Sequence, residues 1–119
     1  MTEPSGIVAE CLAYLEQVER KMASTPIKVP PPEGVANYLE QHFGAAVAGL
    51  LAEYLVEQGD GGPGWKTLAA ILYLGRVDDP VAEEALQRFA AATHIEDYRE
   101  LAGDTLVALA DRRGGRPQV

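Results

Sequence analysis

Cysteine, histidine, aromatic side chains and basic charge are all scarce in this chain. Cys11 is the single cysteine among 119 residues, and one thiol cannot close an internal disulfide. Nothing therefore points to an oxidising compartment. His42 and His94 are the two histidines. Glu40 lies two residues from His42, on a different helix face, while His94 and Asp97 share a helical spacing but lack the third and fourth ligands that a metal site needs. Ten Lys and Arg stand against 18 Asp and Glu, for a net charge of −8. That balance argues against general affinity for nucleic acid, which requires clustered cations. The one dense basic group, Arg112, Arg113 and Arg116, falls at the end of the last predicted helix, where it complements the helix dipole. Long apolar runs are missing too. Residues 44–51 form the most hydrophobic stretch, far short of the roughly 20 residues that span a bilayer. The opening Met-Thr-Glu-Pro has neither a basic n-region nor an apolar h-region. The expectation is a soluble, cytoplasmic protein without membrane attachment. No segment alternates with period two, so no strand is expected.

What is present is an alanine-rich apolar fraction, 47% of the chain, which suits closely packed helices. The length allows one domain with one core. Five helical segments follow from apolar positions recurring every three or four residues. The first covers residues 6–23, with Val8, Cys11, Leu15, Val18 and Met22 on its stripe. Pro26 stops it, and Pro30, Pro31 and Pro32 make a stiff, extended link. A long second helix is expected over residues 35–57, with Val35, Leu39, Phe43, Val47, Leu50, Tyr54 and Leu55 inward. Ala45, Ala46, Ala48 and Gly49 lie among these and permit close helix approach. Residues 59–64 read as a loop. The third helix, residues 65–75, carries Leu68, Ile71, Leu72 and Leu74, and the fourth opens at Pro80 with Val81, Ala85, Leu86 and Phe89 on one side. Thr93 and Glu96 have capping-box spacing and open a fifth helix bearing Tyr98, Leu101, Ala102, Thr105, Leu106 and Leu109. The domain plan is a single helical unit over 1–119. Residues 1–32 hold the first helix and the link, 33–113 the helical hairpins, and 114–119 a tail.

The most informative run is Tyr73-Leu-Gly-Arg-Val-Asp-Asp-Pro-Val-Ala-Glu-Glu-Ala-Leu86. Gly75 ends one apolar stripe, Asp78 or Asp79 can cap the next helix, and Pro80 occupies a position whose missing N–H costs nothing. Sliding the chain by 32 residues pairs Ala70 with Ala102, Leu74 with Leu106, Val77 with Leu109 and Asp79 with Asp111. With Tyr98-Arg-Glu-Leu-Ala-Gly-Asp-Thr-Leu106, this run resembles the HEAT-repeat family, especially the short HEAT-like repeats associated with phycobilisome lyases. In that resemblance Arg99 matches a frequent arginine of the inner helix, and Ala102 its small packing residue. It covers about residues 65–113, under half of the chain. Two departures stand out: Ala92-Thr-His-Ile95 replaces the usual acidic turn, and the second helix lacks the motif. The fold class is all-α, either a HEAT-like right-handed solenoid fragment of antiparallel hairpins or a compact helical bundle.

The resemblance implies a protein-binding surface, with no lyase activity attached. The functional expectation is accordingly a non-enzymatic interaction module, of adaptor, scaffold or inhibitor type. Lys66, Tyr73, Tyr98, Arg99 and Asp104 are its candidate contact residues, and the partner is a protein, a basic one if the acidic charge guides the choice, or a second copy of the chain. The runner-up is a small helical enzyme or ligand-binding bundle with His42, Tyr54 and Tyr98 at its pocket. No catalytic residue and no cofactor is assigned. Residues 59–67 look like a phosphate loop, but Trp65 separates Gly64 from Lys66 and a helix precedes the loop. The carboxylate pairs Glu53/Glu57, Asp78/Asp79, Glu83/Glu84 and Glu96/Asp97 read as solvated or capping acids. Cys11 sits on an apolar stripe and reads as a buried, inert thiol. Trp65 is expected to pack against the core.

Overall fold

The computed structural model describes residues 4–24, 32–77 and 79–113, apart from the side chains of residues 4, 5, 22–24, 112 and 113. These residues form six helices, and none of the described residues is in a strand: α1 (Pro4–Ser24), α2 (Pro32–Phe43), α3 (Ala48–Gln58), α4 (Gly64–Leu74), α5 (Pro80–Ala92) and α6 (Glu96–Arg113). The fold is an all-α bundle. Pro32 begins α2 at a first-turn position, where its missing N–H is harmless. Pro30, Pro31, Asp78 and the 114–119 tail lie outside the described residues.

Helix α4 is the centre. Seven of its eleven residues are buried, round all of the helix but the face of Gly64, Leu68 and Leu72, as suits an interior helix. It packs against α2, α3, α5 and α6, while α3 and α6 also pack on α5 and α1 lies on α2. Cys11, Leu15 and Val18 tie α1 into the same core. Trp65 is buried at the start of α4.

The second predicted helix is two helices. Gly44 adopts φ +57°, a left-handed conformation that glycine reaches without a Cβ clash, and the chain turns there before α3 starts. The broken backbone is accounted for group by group. Gly44 N–H donates to Glu40 O at 2.9 Å, Ala46 N–H to Phe43 O at 3.0 Å and Ala48 N–H to Ala45 O at 3.1 Å. The Gly44 carbonyl, which Ala48 would serve in a continuous helix, instead accepts the Tyr73 hydroxyl at 2.6 Å. Burial raises the Tyr73 hydroxyl well above its ordinary pKa, although a Val47 backbone hydrogen bond opposes this, so it stays protonated as a donor.

Gly75 caps α4 without a left-handed turn, at φ −74°. Its smallness serves packing: a Cβ there would collide with the Thr105 methyl of α6. Asp79 is the cap of α5, its Oδ1 accepting Val81 N–H at 2.9 Å, with Pro80 next in line. On α5 the inward face is Ala82, Ala85, Leu86 and Phe89, whereas Val81 points outward with 44% exposure. The break at Gly44 leads to a direct expectation. Tyr73→Phe removes the donor to the Gly44 carbonyl and should lower unfolding free energy by about 0.5–1.5 kcal/mol in urea titrations. A variant as stable as the parent would show that the bond does not hold the turn.

Candidate interaction surface

Helix α3 has a buried face of Ala48, Leu51, Ala52 and Leu55, leaving Gly49, Glu53, Val56 and Glu57 at the surface. A groove runs along each side of this ridge. The one between α3 and α5 has a volume of about 280 Å³ and is lined by Ala52, Val56, Val81 and Ala85, with Glu84 and Arg88 at its rim. The one towards α1 and α4, about 210 Å³, is lined by Leu12, Leu15, Leu50, Leu51 and Tyr54. Glu53 and Glu57 border both grooves. They are one helical turn apart, an arrangement that costs an isolated helix roughly 0.2–0.5 kcal/mol. A third depression, about 230 Å³, continues past Val56 and Glu57 to Asp60 and His94. All three fall short of the roughly 300–1,000 Å³ typical of small-molecule sites.

Charge and ring geometry shape the α1–α3 groove. Lys66 holds its ammonium 4.6 Å from the Tyr54 ring centroid, a cation–π contact. The Tyr54 hydroxyl is within hydrogen-bond distance of Thr67 Oγ1, at 3.1 Å, and Thr67 donates to Gly59 O at 2.6 Å. Burial pushes the Tyr54 hydroxyl above its usual pKa, the Thr67 bond opposes that, and Glu19 of α1 acts on it through space. Glu19 is seven residues from Leu12 and so shares its side of α1.

The sequence-predicted contact residues do not form one surface. Tyr73 is fully buried and bonded to Gly44, so it is an interior residue; its aromatic type alone suggested contact. Lys66 belongs to the α1–α3 groove. Tyr98 is half-buried against Phe89, with ring centroids 6.1 Å apart. Arg99 clamps the start of α6, donating to Glu96 Oε1 and to Thr93 O, each at 2.7 Å. Asp104 is exposed, five residues further along α6 and hence about 140° round the helix from Arg99. Of His42, Tyr54 and Tyr98, only Tyr54 lines any of these three grooves, and it lines the α1–α3 one. His42 stacks on Tyr38 at 3.8 Å, and Tyr38 stacks on Tyr14 at 3.9 Å, a surface ladder joining α2 to α1. Leu12, at 43% exposure, was missed by sequence reasoning, although its place beside rather than on the stripe through Cys11 and Leu15 was the available signal.

The loop after α3 is tied down. Asp60 accepts the Thr93 hydroxyl at 2.5 Å and the His94 N–H at 2.9 Å. Thr93 in turn accepts Ile95 N–H at 3.1 Å. The capping box therefore does not close on itself: Glu96 pairs with Arg99, Thr93 N–H donates to Phe89 O, and Asp60 from another loop accepts the neighbouring His94 N–H. Among the described residues, every buried side-chain N or O has a partner. No three His, Cys, Asp or Glu of the described residues come together as a metal site. None of the described helices is long and apolar enough to cross a membrane. No protein-family model matches the chain, and neither a curated protein nor a solved structure matches it significantly.

Two measurements test this chemistry. The His94 amide, then the Thr93 hydroxyl, hold the Asp60 carboxyl below its ordinary pKa. Its contribution to stability is therefore complete above the ordinary aspartate value of about 4 and disappears as pH falls through the lower folded value. Asp60→Asn should shrink the acid-side loss of stability, read as Tm against pH; an unchanged acid limb would contradict the assignment. Burial pushes the Cys11 thiol up to about 11, with Lys66 pulling weakly the other way. At about pH 8 a disulfide reagent should label folded protein at least roughly a hundredfold more slowly than unfolded protein. Rapid labelling of the native state would mean that α1 leaves the core.

Proposed function

We propose that the chain is a non-enzymatic protein-interaction module, of adaptor, scaffold or inhibitor type, which offers α3 and its flanking grooves to a protein partner. The observation that carries this reading is the convergence of exposed apolar side chains on those grooves. Leu12, Val56 and Val81 are 43%, 37% and 44% exposed and line the two grooves on either side of α3. Apolar groups gathered beside shallow clefts are what a docking surface needs, whereas single exposed residues elsewhere need no explanation. Cleft volumes of 210–280 Å³ favour a macromolecular partner over an enclosed small ligand. A net charge of −8 favours a basic one. The HEAT-like resemblance of residues 73–86 and 98–106 belongs to the same proposal and agrees with it, as does a cytoplasmic location. The reading stands on the grooves without either.

Tagged full-length protein should retain a saturable protein partner from its native cell. Glu53→Lys combined with Glu57→Lys should weaken that complex at least roughly tenfold with Tm little changed, because both residues are exposed. A partner whose binding ignores this charge reversal, or no saturable partner at all, would overturn the reading.

A further inference from the structure

The α1–α3 groove differs from the other two in what lines it. Its floor is leucine and tyrosine, with Leu12, Leu15, Leu50 and Tyr54, whereas the α3–α5 groove is walled by glycine, alanine and valine. Two of its features do nothing for the fold. Leu12 exposes 43% of its surface although α1 already buries Cys11, Leu15 and Val18. Glu53 and Glu57 repel each other across one turn of α3. Local choices that oppose stability mark positions held for another purpose.

We propose, resting on the interaction-module reading, that this groove receives one amphipathic α-helix of a partner protein, with leucine-like anchors facing the groove and Lys or Arg on its flanks. The groove runs along α3 from Leu50 to Gln58, about 12 Å or two helical turns. A third helix laid between two others fills such a seam with side chains spaced at i, i+3, i+4 and i+7. Its lining carries two carboxylates, Glu53 and Glu57 of α3, and Glu19 of α1 acts through space on the Tyr54 within it. Lys66, the one cation among the described residues that line it, is already drawn over the Tyr54 ring. That leaves a surplus of negative charge facing the occupant, so Lys and Arg flanks are complementary and acidic ones are not.

Three other occupants fit less well. A second copy meeting face to face would bring the same glutamates together across the symmetry axis. A proline-rich segment needs open aromatic faces, and the Tyr54 face is taken by Lys66. A small molecule would find a cleft of about 210 Å³, under the usual size.

The test uses full-length protein labelled for NMR and two synthetic helices of about 18 residues with the same leucine stripe, one flanked by Lys and one by Glu. The Lys peptide should bind saturably and shift the amides of Leu12, Leu50 and Tyr54. Raising salt from about 50 to about 200 mM should weaken it several-fold. Leu12→Gln should weaken it roughly tenfold, and Val81→Gln, in the neighbouring groove, should leave it unchanged. Both positions are exposed, and an unaltered Tm confirms that each variant is folded. Equal binding of the Glu peptide, shifts centred on Val81 and Arg88, or indifference to Leu12→Gln would each overturn the proposal. The same pair of variants applied to a native partner separates the two readings. A partner lost with Val81→Gln but kept with Leu12→Gln removes this groove and leaves the interaction-module reading intact.

Discussion

The hydroxyl of Tyr73 reaches from the middle of the bundle to the carbonyl of Gly44, and the arrangement of the other helices follows from the turn it holds. Residues 32–58 as one straight helix would be about 40 Å long, while α4 spans only about 16 Å. Both halves cannot lie on α4 unless the chain bends between them. Gly44 supplies the bend by entering left-handed backbone space, which leaves its own carbonyl without the usual helical donor. A helix carbonyl left without its usual donor is served by another group, and Tyr73 serves this one. With the bend in place, α2 packs on α4 while α3 spans α4 and α5.

Close approach is the second theme, and glycine permits it where helices and loops meet. A Cβ on Gly75 would strike Thr105, one on Gly62 would strike the Tyr54 hydroxyl, and one on Gly59 would strike Phe89 and the Leu55 carbonyl. The 59–64 loop, which looks unstructured by composition, is thereby pressed against α5 and α3. Its Asp60 carboxylate then ties down the turn between α5 and α6 through Thr93 and His94. One loop thus positions the end of α3, the start of α4 and the start of α6. The ridge carrying Glu53, Val56 and Glu57 ends at this loop, where Gly59 N–H donates to Leu55 O at 3.1 Å.

Helix identity, the Asp79–Pro80 cap, the burial of Cys11 and Trp65 and the placement of Leu86 and Phe89 were all legible in the sequence. Each depends on residues a few positions apart, where periodicity and capping chemistry act locally. The break at Gly44 was hidden because Val47, Leu50 and Tyr54 continue the helical period across it. Tyr73 was misread for a related reason: a tyrosine looks the same in sequence whether its hydroxyl meets solvent or a carbonyl 29 residues away. Val81 was placed inward because it starts an apolar run, yet Ala82 takes the inner position and leaves Val81 outside.

By itself, then, the amino-acid sequence determined an acidic all-helical chain, the helix boundaries at its proline and glycine punctuation outside the Gly44 break, and the burial of its thiol. These are consequences of side-chain type and local spacing. Only the tertiary structure decided that α4 is the centre, that Asp60 holds the distant turn at Thr93 and His94, and that Leu12, Glu53 and Glu57 border one groove. Such facts depend on which helix faces lie against each other, and that is settled by the joint packing of side chains far apart in the chain. Local periodicity marks a face as apolar; it does not say which other face will cover it.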